Sequence, residues 1–265
     1  MPDGPGEKPK LSATVIAQDE EERLPECIRS LAFCDEVLVV DGGSRDRTRE
    51  VAAEAGARVI ERPFDDFASQ HEFARAQARG EWIIWLDADE RATPELAREV
   101  REVIVRGGPP AAFRVPTLNF WRDVRLRFGD AGPERHLRLF CRELCRFDPE
   151  RPVHEKVVLD GPVGGLKSPI IHLAWRSLSH LACKSLRYAE DWARARHARG
   201  RRATALDVAI HPAWRFIRAY FFRLGFLDGV PGAILAFGRA YEAFARYARL
   251  WELSRYPDSK KDSLR

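Results

Sequence analysis

The most informative stretch of the sequence is Trp82-Ile83-Ile84-Trp85-Leu86-Asp87-Ala88-Asp89-Glu90-Arg91. Its first five residues are apolar and predict a strand buried on both faces, as in the parallel sheet of an α/β protein. The strand ends at three carboxylates, and ligands of such folds collect at the carboxyl ends of the strands. Asp87 and Asp89, separated by one residue, present oxygen atoms on the same side of an extended chain. This pattern suits Mg²⁺ or Mn²⁺ carrying a diphosphate, although the spacing alone is common in surface turns.

Two earlier stretches repeat the pattern of a strand followed by an acid. Residues 11–17 (LSATVIA) precede Asp19 and Glu20, and residues 36–40 (EVLVV) precede Asp41. Strands alternating with helical segments at this spacing predict an α/β fold with a doubly wound, mostly parallel sheet flanked by helices. The acids then share one edge of the sheet, where carboxylates accept hydrogen bonds from a nucleobase or ribose. Each acid alone is also compatible with a helix cap.

Local signals place the helices between these strands. Ser44 is predicted to cap a helix over residues 45–55, and Thr93 a helix over residues 95–105. Residues 107–110 (GGPP) form a break, after which residues 113–169 are expected to contain short, in part antiparallel strands. The chain is helical from Ser177 onward. Neither G-x-G-x-x-G nor a phosphate-binding P-loop motif is present, so dinucleotide and P-loop chemistry are not supported.

The final third carries aromatic stripes beside arginines. Residues such as Trp214, Phe221, Phe237 and Tyr241 recur at three- and four-residue steps, with Arg239 and its neighbours on the other side. This pattern is typical of helices in a lipid interface and equally of helices packed on their own core. The predicted organisation is a disordered segment 1–10, an α/β domain 11–176, a membrane-associated helical extension 177–255 and a polar tail 256–265.

Charge and composition narrow the possible partners. The chain has 265 residues and a net charge of +4, divided into −10 for residues 1–105 (14 Lys+Arg, 24 Asp+Glu) and +14 for residues 106–265 (30 and 16). A basic second part favours anionic partners, but no aromatic RNA-binding motif accompanies it, so nucleic acid is not expected. Five cysteines without a framework pattern favour reduced thiols in a cytosolic protein. Neither a secretory signal nor a membrane-spanning run is predicted.

Several motifs together resemble family 2 glycosyltransferases of the GT-A fold. They are residues 15–21 (VIAQDEE), residues 35–48 (DEVLVVDGGSRDRT) and residues 86–91 (LDADER). The resemblance is closest to lipopolysaccharide core β-1,4-glucosyltransferases, because residues 62–64 (RPF), 70–74 (QHEFA), 138–140 (RLF), 153–155 (VHE) and 225–229 (GFLDG) also fit. It covers about residues 11–251. The family usually has Asn where Asp19 stands and Lys-Asn where His71-Glu72 stand.

The resemblance implies an inverting enzyme that moves a sugar, with glucose expected, from a UDP-sugar to a lipopolysaccharide core or similar lipid-linked acceptor. Such an enzyme would lie in the cytoplasm against the inner face of the cell membrane. The donor-binding residues would be Asp19, Glu20, Asp41, Gln70, Asp87 and Arg138. Asp87, Asp89 and His172 would hold Mn²⁺ or Mg²⁺, although a lone histidine after an apolar run is also typical of a core residue.

An inverting transfer needs one base in line with the attacking hydroxyl. Glu155 is the predicted base, and Glu134, in Gly132-Pro133-Glu134-Arg135, is the rival. Two other functions stay open: transfer to a polyprenyl phosphate, and a non-catalytic nucleotide-sugar-binding module at the membrane.

Overall fold

A computed structural model describes residues 10–147, 157–159, 161–175 and 177–256. The chain divides into two compact units. The first comprises the chain up to Leu118 together with Glu134–His172. The second comprises Asn119–Pro133 and the chain from Leu173 onward.

The strands and helices alternate through the first half of the chain. The strands are β1 (Leu11–Ala17), β2 (Glu36–Asp41), β3 (Arg58–Glu61), β4 (Trp82–Asp87), β5 (Glu90–Ala92), β6 (Ala112–Trp121), β7 (Val124–Arg125), β8 (Glu134–Cys141), β9 (Cys145–Phe147), β10 (Val157–Leu159), β11 (Val163–Gly165) and β12 (Ile170–Trp175). The helices are α1 (Leu24–Ser30), α2 (Thr48–Glu54), α3 (Phe67–Gln77), α4 (Pro94–Arg106), α5 (Leu178–Ala198), α6 (Ala205–Ile217) and α7 (Gly229–Arg255). Short 3₁₀ turns cover Gly129–Ala131 and Gly225–Asp228, and a π-helical turn covers Arg218–Phe222.

The main sheet has the strand order β3-β2-β1-β4-β8-β6-β12-β5. Its first four strands are parallel, and the register sets Ala17 opposite Asp41 and Ile16 opposite Asp87. The carboxyl ends of β1, β2 and β4 therefore lie level with one another at one edge. Strand β8 runs antiparallel to β4, so it begins at this same edge, and β12 pairs antiparallel with β5. The predicted α/β class is confirmed, including the antiparallel strands expected in the middle of the chain.

The core lies on both faces of the parallel strands, because successive residues of a strand point to opposite sides. On β4, Ile84 and Leu86 pack with the cluster that contains Leu24 of α1. Ile83 and Trp85 pack with the cluster that contains Ala74 of α3. Helices thus cover both faces of the sheet, as a doubly wound fold requires.

Helix caps follow the sequence signals at two sites and depart from them at a third. Thr93 accepts a hydrogen bond from the Leu96 N–H at 3.2 Å, and Ser177 caps α5 in the same way. The predicted Ser44 cap is wrong, because α2 begins only at Thr48. The Ser44 hydroxyl instead donates to Asp41 in its own turn and accepts from the Asp19 N–H of the loop after β1.

The C-terminal helical extension predicted from the sequence is present and forms most of the second unit. Helix α7 buries mainly small residues against its neighbours, together with Glu242, while Phe237 is 63% exposed. Among the described residues no single helix is long and apolar enough to cross a membrane. The helical segments Ala205–Phe222 and Gly225–Arg255, bent by 70° at their junction, meet the length and composition required only as a pair.

Candidate active site

Asp41 organises the turn that follows β2. Its side chain is fully buried, and one oxygen accepts hydrogen bonds from the N–H groups of Gly43 at 3.1 Å and Ser44 at 3.0 Å. The other oxygen accepts from the Ser44 hydroxyl. Gly43 has φ 98°, a conformation that favours glycine and lets the chain turn sharply here. Asp41 therefore shapes the predicted nucleotide edge, and its own contact with a nucleotide stays a prediction.

The loop after β1 is joined to this turn by reciprocal hydrogen bonds. The Asp19 N–H donates to Ser44 at 2.9 Å, and the Asp19 carboxylate accepts from the Arg45 N–H at 2.7 Å. The Glu20 N–H donates to Thr48 at 2.8 Å. Asp19 is exposed and has φ 55°, which a short polar side chain tolerates better than most. The two predicted donor-binding loops are thus held together as one edge.

Asp89 joins the acid motif to His172. Asp89 Oδ1 lies 3.5 Å from His172 Nε2, and Asp89 Oδ2 accepts from Arg23 at 3.1 Å. Burial lowers the pKa of His172, but the hydrogen bond and charge of Asp89, with Glu90 and Asp87 nearby, outweigh it and raise the pKa. Two of the three predicted metal ligands, 83 residues apart in sequence (172 − 89), are therefore neighbours.

Arg138 connects Asp87 with Glu90 beneath the edge. One of its amino groups lies 2.6 Å from Glu90 Oε1 and 3.1 Å from Asp87 Oδ2, and its guanidinium carbon lies 3.8 Å from the centre of the Trp85 ring. Glu90 is 1% exposed and also accepts from the Asp87 N–H at 2.9 Å. Burial raises the pKa of Glu90, while Arg138 opposes the rise. Asp87 itself keeps 42% of its side chain exposed at the edge.

His71 and Gln70 are buried residues of α3. The His71 ring stacks on Phe147 at 5.0 Å and contacts Trp85 edge-on at 4.4 Å. Burial lowers the pKa of His71 to about 4, so the ring is neutral at pH 7. Gln70 is buried and donates to the carbonyl oxygen of Arg62 at 2.9 Å. The Gln70 side chain thus holds the segment before α3, and its predicted contact with the donor stays a prediction.

The two candidate bases differ in what the structure describes. Glu155 lies outside the described residues. Glu134 begins β8 at the carboxyl-end edge, and its carboxylate, 56% exposed, lies 3.1 Å from His136 Nε2. Burial and Arg138 lower the pKa of His136 despite the nearby Glu134.

Three residues that the sequence did not identify, Arg23, Glu90 and His136, pair with the predicted site residues Asp89, Arg138 and Glu134 respectively. Glu90 stands directly after the Asp87-x-Asp89 pair, and that position was a signal that could have been used. Arg23 and His136 carry no local signal, because their proximity arises from α1 and from the antiparallel return of β8.

The predicted metal ligands Asp87, Asp89 and His172 are chemically suited to a divalent cation, since carboxylate oxygens are preferred ligands of Mg²⁺ and Mn²⁺. Among the described residues, no group of three His, Cys, Asp or Glu side chains is arranged to hold a metal ion. Arg23 and Arg138 neutralise Asp89 and Asp87 instead. The three-residue metal site therefore stays a prediction, supported by the pairing of Asp89 with His172.

Acids and a buried arginine at the carboxyl edge of a parallel sheet are suited to a nucleotide diphosphate. Residues 12–140 match the model of Glycosyl transferase family 2. The chain therefore carries a domain of this glycosyltransferase family, which confirms the family resemblance, and its mixed sheet flanked by helices has the expected GT-A class of fold.

Similar proteins span nearly the whole chain. The lipopolysaccharide core biosynthesis glycosyltransferase LpsC of Rhizobium meliloti is 29% identical over 251 residues, which cover 90% of this chain and 93% of the relative. An uncharacterized glycosyltransferase of Rickettsia typhi is 27% identical over 256 residues, covering 92% and 88%.

Solved structures give more distant likenesses. Glucosyl-3-phosphoglycerate synthase from Mycobacterium tuberculosis, in complex with Mn²⁺, UDP and glucosyl-3-phosphoglycerate, has a TM-score of 0.45 at 19% identity, covering 68% of this chain and 78% of that chain. Mannosyl-3-phosphoglycerate synthase from Rubrobacter xylanophilus has a TM-score of 0.36 at 23% identity, covering 43% and 41%.

Proposed function

We propose that this glycosyltransferase moves a sugar, with glucose the first candidate, from a UDP-sugar to a lipopolysaccharide core or similar lipid-linked saccharide, with inversion. The observation that supports the proposal is the pairing of Asp89 with His172 at 3.5 Å, two residues after Asp87 ends β4. The name of the Rhizobium meliloti relative supports the class of acceptor. Peripheral attachment to the inner face of the cell membrane belongs to the same proposal, because the acceptor would be anchored there.

The donor would lie along the edge formed by β1, β2 and β4. Asp19, Glu20 and Asp41 would accept hydrogen bonds from uracil and ribose, since carboxylates are acceptors for N–H and hydroxyl donors. Arg138 would offer its positive charge to the diphosphate, because guanidinium groups bind such oxyanions strongly. Its contacts with Glu90 and Trp85 fix its orientation before the donor arrives.

Asp87, Asp89 and His172 would hold Mn²⁺ or Mg²⁺ on the donor diphosphate. When bound, such a cation neutralises charge on the leaving nucleotide. Arg23 supports the site by holding Asp89 at 3.1 Å.

Inversion also requires a base that removes the proton of the attacking hydroxyl. Glu155 is our first candidate and Glu134 the second. Glu155→Gln and Glu134→Gln distinguish them, because only the variant of the base should lose transfer while retaining UDP binding. Loss of transfer with retained binding would also exclude a purely non-catalytic binding module.

The proposal is tested by incubating the purified chain with Mn²⁺, lipid-linked core saccharide and a panel of UDP-sugars. Asp89→Ala should abolish hydrolysis and transfer, whereas Asp123→Ala, on an exposed turn, should leave both unchanged. Unchanged turnover in Asp89→Ala would refute the proposed role of Asp89 as a metal ligand.

Transfer to a polyprenyl phosphate is the second candidate. Undecaprenyl-phosphate 4-deoxy-4-formamido-L-arabinose transferase of Pseudomonas fluorescens is 34% identical to this chain over 99 residues, 29% of its length. Product formation with undecaprenyl phosphate, and none with core saccharide, would favour this alternative. Stabilisation against thermal unfolding by GDP rather than UDP would instead overturn the proposed nucleotide.

A further inference from the structure

Three arginines of the second unit surround one carboxylate. Asp130 lies in the 3₁₀ turn Gly129–Ala131, and its side chain is 11% exposed. Its oxygens lie 2.8 Å from Arg223 Nη1, 3.5 Å from Arg215 Nη2 and 3.8 Å from Arg218 Nη1. The Arg223 carbonyl also accepts a hydrogen bond from the Gly129 N–H at 2.8 Å, which fixes the backbone of the two turns together. Asp130 therefore gathers three guanidinium groups at one place.

The positive charge of this cluster exceeds what its carboxylates neutralise. Beside it, Glu242 is buried and pairs with Arg239 at 3.0 Å and with Arg246. Asp228 lines the same cavity as Asp130 and Arg239, so the count over these described residues is five arginines and three carboxylates, 5 − 3 = +2. Burial lowers the pKa of Arg215, and repulsion from Arg239 and Arg218 adds to the lowering despite Asp130. The cluster thus has capacity for an external anion.

The guanidinium groups are accessible from outside. Arg215, Arg218 and Arg223 expose 36%, 34% and 45% of their side chains. We name these three residues with Asp130 the arginine cluster.

An exposed apolar surface lies on the same helical segment. Helix α6 has no buried residue, and Leu206, Ile210, Trp214 and Ile217 recur at helical spacing with exposures of 65%, 52%, 50% and 40%. A helical stripe of large apolar side chains usually faces a core. Here it faces outward, so this helix is amphipathic with its apolar side uncovered.

Aromatic residues extend this surface beyond α6. Trp214 contacts Phe222 with ring centres 5.6 Å apart, and Phe216 contacts Phe237 at 4.6 Å. Phe222 and Phe237 are 68% and 63% exposed. Exposed apolar patches rimmed by charge mark sites of protein or membrane interaction. Arginine on the rim and aromatic residues at the interface fit a bilayer, where amphipathic rings lie at the level of the headgroups.

We propose that the arginine cluster binds lipid phosphates of an anionic bilayer while Trp214, Phe222 and Phe237 enter its interface. The inference deepens the proposed function, since it assigns the membrane contact to named residues of the second unit. The excess of positive charge selects an anionic lipid surface over a neutral one, and the uncovered aromatic side chains distinguish a bilayer from a soluble phosphate.

The first experiment compares flotation of the full chain with vesicles of phosphatidylcholine alone and of phosphatidylcholine mixed with phosphatidylglycerol. The variant R215Q/R218Q/R223Q should bind the mixed vesicles on the order of 100-fold more weakly, because each basic residue near an anionic surface contributes roughly a fivefold to tenfold gain in affinity. The control R47Q/R79Q/R98Q removes the same charge from exposed positions of the first unit and should bind as the wild type does.

Folding is checked by circular dichroism during thermal unfolding. Removing the three guanidinium groups leaves Asp130, 11% exposed, without these partners, so the variant should unfold at a lower temperature than the wild type while remaining folded at the temperature of the flotation. About 1 M NaCl should release the wild type from mixed vesicles, since the screening length then falls to about 3 Å.

The exposed apolar surface is tested with the double variant Trp214→Ser/Phe222→Ser. Its control is Val105→Ser/Leu144→Ser, which replaces two exposed apolar residues of the first unit. Only the former should weaken vesicle binding. Equal binding by the triple arginine variant and its control, or binding that persists at high salt, would overturn the proposal. So would capture of the chain by a protein partner or a second copy at this surface in place of vesicles.

Transfer of sugar to a detergent-solubilised acceptor separates this inference from the proposed function. The arginine variant should retain that activity. If the wild-type protein binds anionic vesicles but transfers no sugar, only the proposed function is refuted. If it transfers sugar but does not bind the vesicles, only this inference is refuted.

Discussion

Replacing Arg138 tests whether its buried ion pair with Glu90, beneath the carboxyl-end edge of the sheet, stabilises the fold. Arg138 is 4% exposed, and its amino group lies 2.6 Å from Glu90, which is 1% exposed. Arg138→Met would leave the Glu90 carboxylate buried without this guanidinium. Breaking a buried pair in this way costs about 3–5 kcal/mol, so we expect a loss of that size in the free energy of unfolding.

A double-mutant cycle with Glu90→Leu isolates the interaction. Glu90→Leu alone leaves the Arg138 guanidinium with Asp87 and the Trp85 ring, and should also be strongly destabilising. The double variant removes both buried charges, and apolar replacement of a whole pair is often close to neutral. Its loss of stability should therefore fall short of the sum of the single losses by at least about 1.5 kcal/mol.

The assay is urea unfolding followed by circular dichroism at pH 7. Arg98 and Glu95 provide the reference cycle, since they form a 3.4 Å pair with side chains 72% and 60% exposed. Exposed pairs contribute little, so the reference coupling should stay below about 0.5 kcal/mol. Additive effects of Arg138→Met and Glu90→Leu would refute the assigned role of the pair.

Three further variants test the surroundings of the site. Burial lowers the pKa of His71 from 6.5 to about 4, so between pH 6.5 and pH 4 the unfolded chain binds a proton that the folded chain does not. The free energy of unfolding should therefore fall as the pH drops from 6.5 to 4, by about 1.36 × 2.5 ≈ 3 kcal/mol. His71→Phe should remove that part of the pH dependence in urea titrations while His211→Gln retains it, and equal slopes would contradict the assignment. Gly80→Ala should lower stability by about 1–3 kcal/mol in the same assay, because a Cβ would lie 2.5 Å from the Ser12 nitrogen; an unchanged midpoint would show that the strand can yield. Ser44→Ala should cost about 1–2 kcal/mol and weaken UDP binding in calorimetry, since it disconnects the loops after β1 and β2, and unaltered binding would argue against a shared donor edge.

Local signals predicted the frame of the first unit well. The strand over Glu36–Asp41 and the Thr93 cap lie where the sequence placed them, because β-branched runs and cap residues act within a few positions. The edge acids could be predicted for the same reason, since each follows directly on its strand.

Contacts between distant residues could not be predicted in this way. Ser44 has the sequence of a helix cap, yet its hydroxyl serves a loop 25 residues away. Glu90 has the appearance of a surface acid, and it is buried because Arg138, 48 residues later, returns beside it on β8. Such pairings depend on strand order, which no single segment specifies.

The faces of α7 show the limit of helical periodicity. The aromatic stripe is compatible with a core or with a lipid interface. The structure buries Glu242 between Arg239 and Arg246 and leaves Phe237 outside. Small residues allow the close helix contacts, so residue size as well as polarity decides which face is buried.

Titration of UDP into the protein in isothermal calorimetry, with and without Mn²⁺, measures whether a metal ion is needed to bind the nucleotide diphosphate. We expect UDP binding to require the metal and to weaken at least about tenfold in Asp89→Asn, while Asp123→Asn binds as the wild type does. Metal-independent binding, or equal affinity in wild type and Asp89→Asn, would contradict a cation-bridged diphosphate at the carboxyl edge of the sheet.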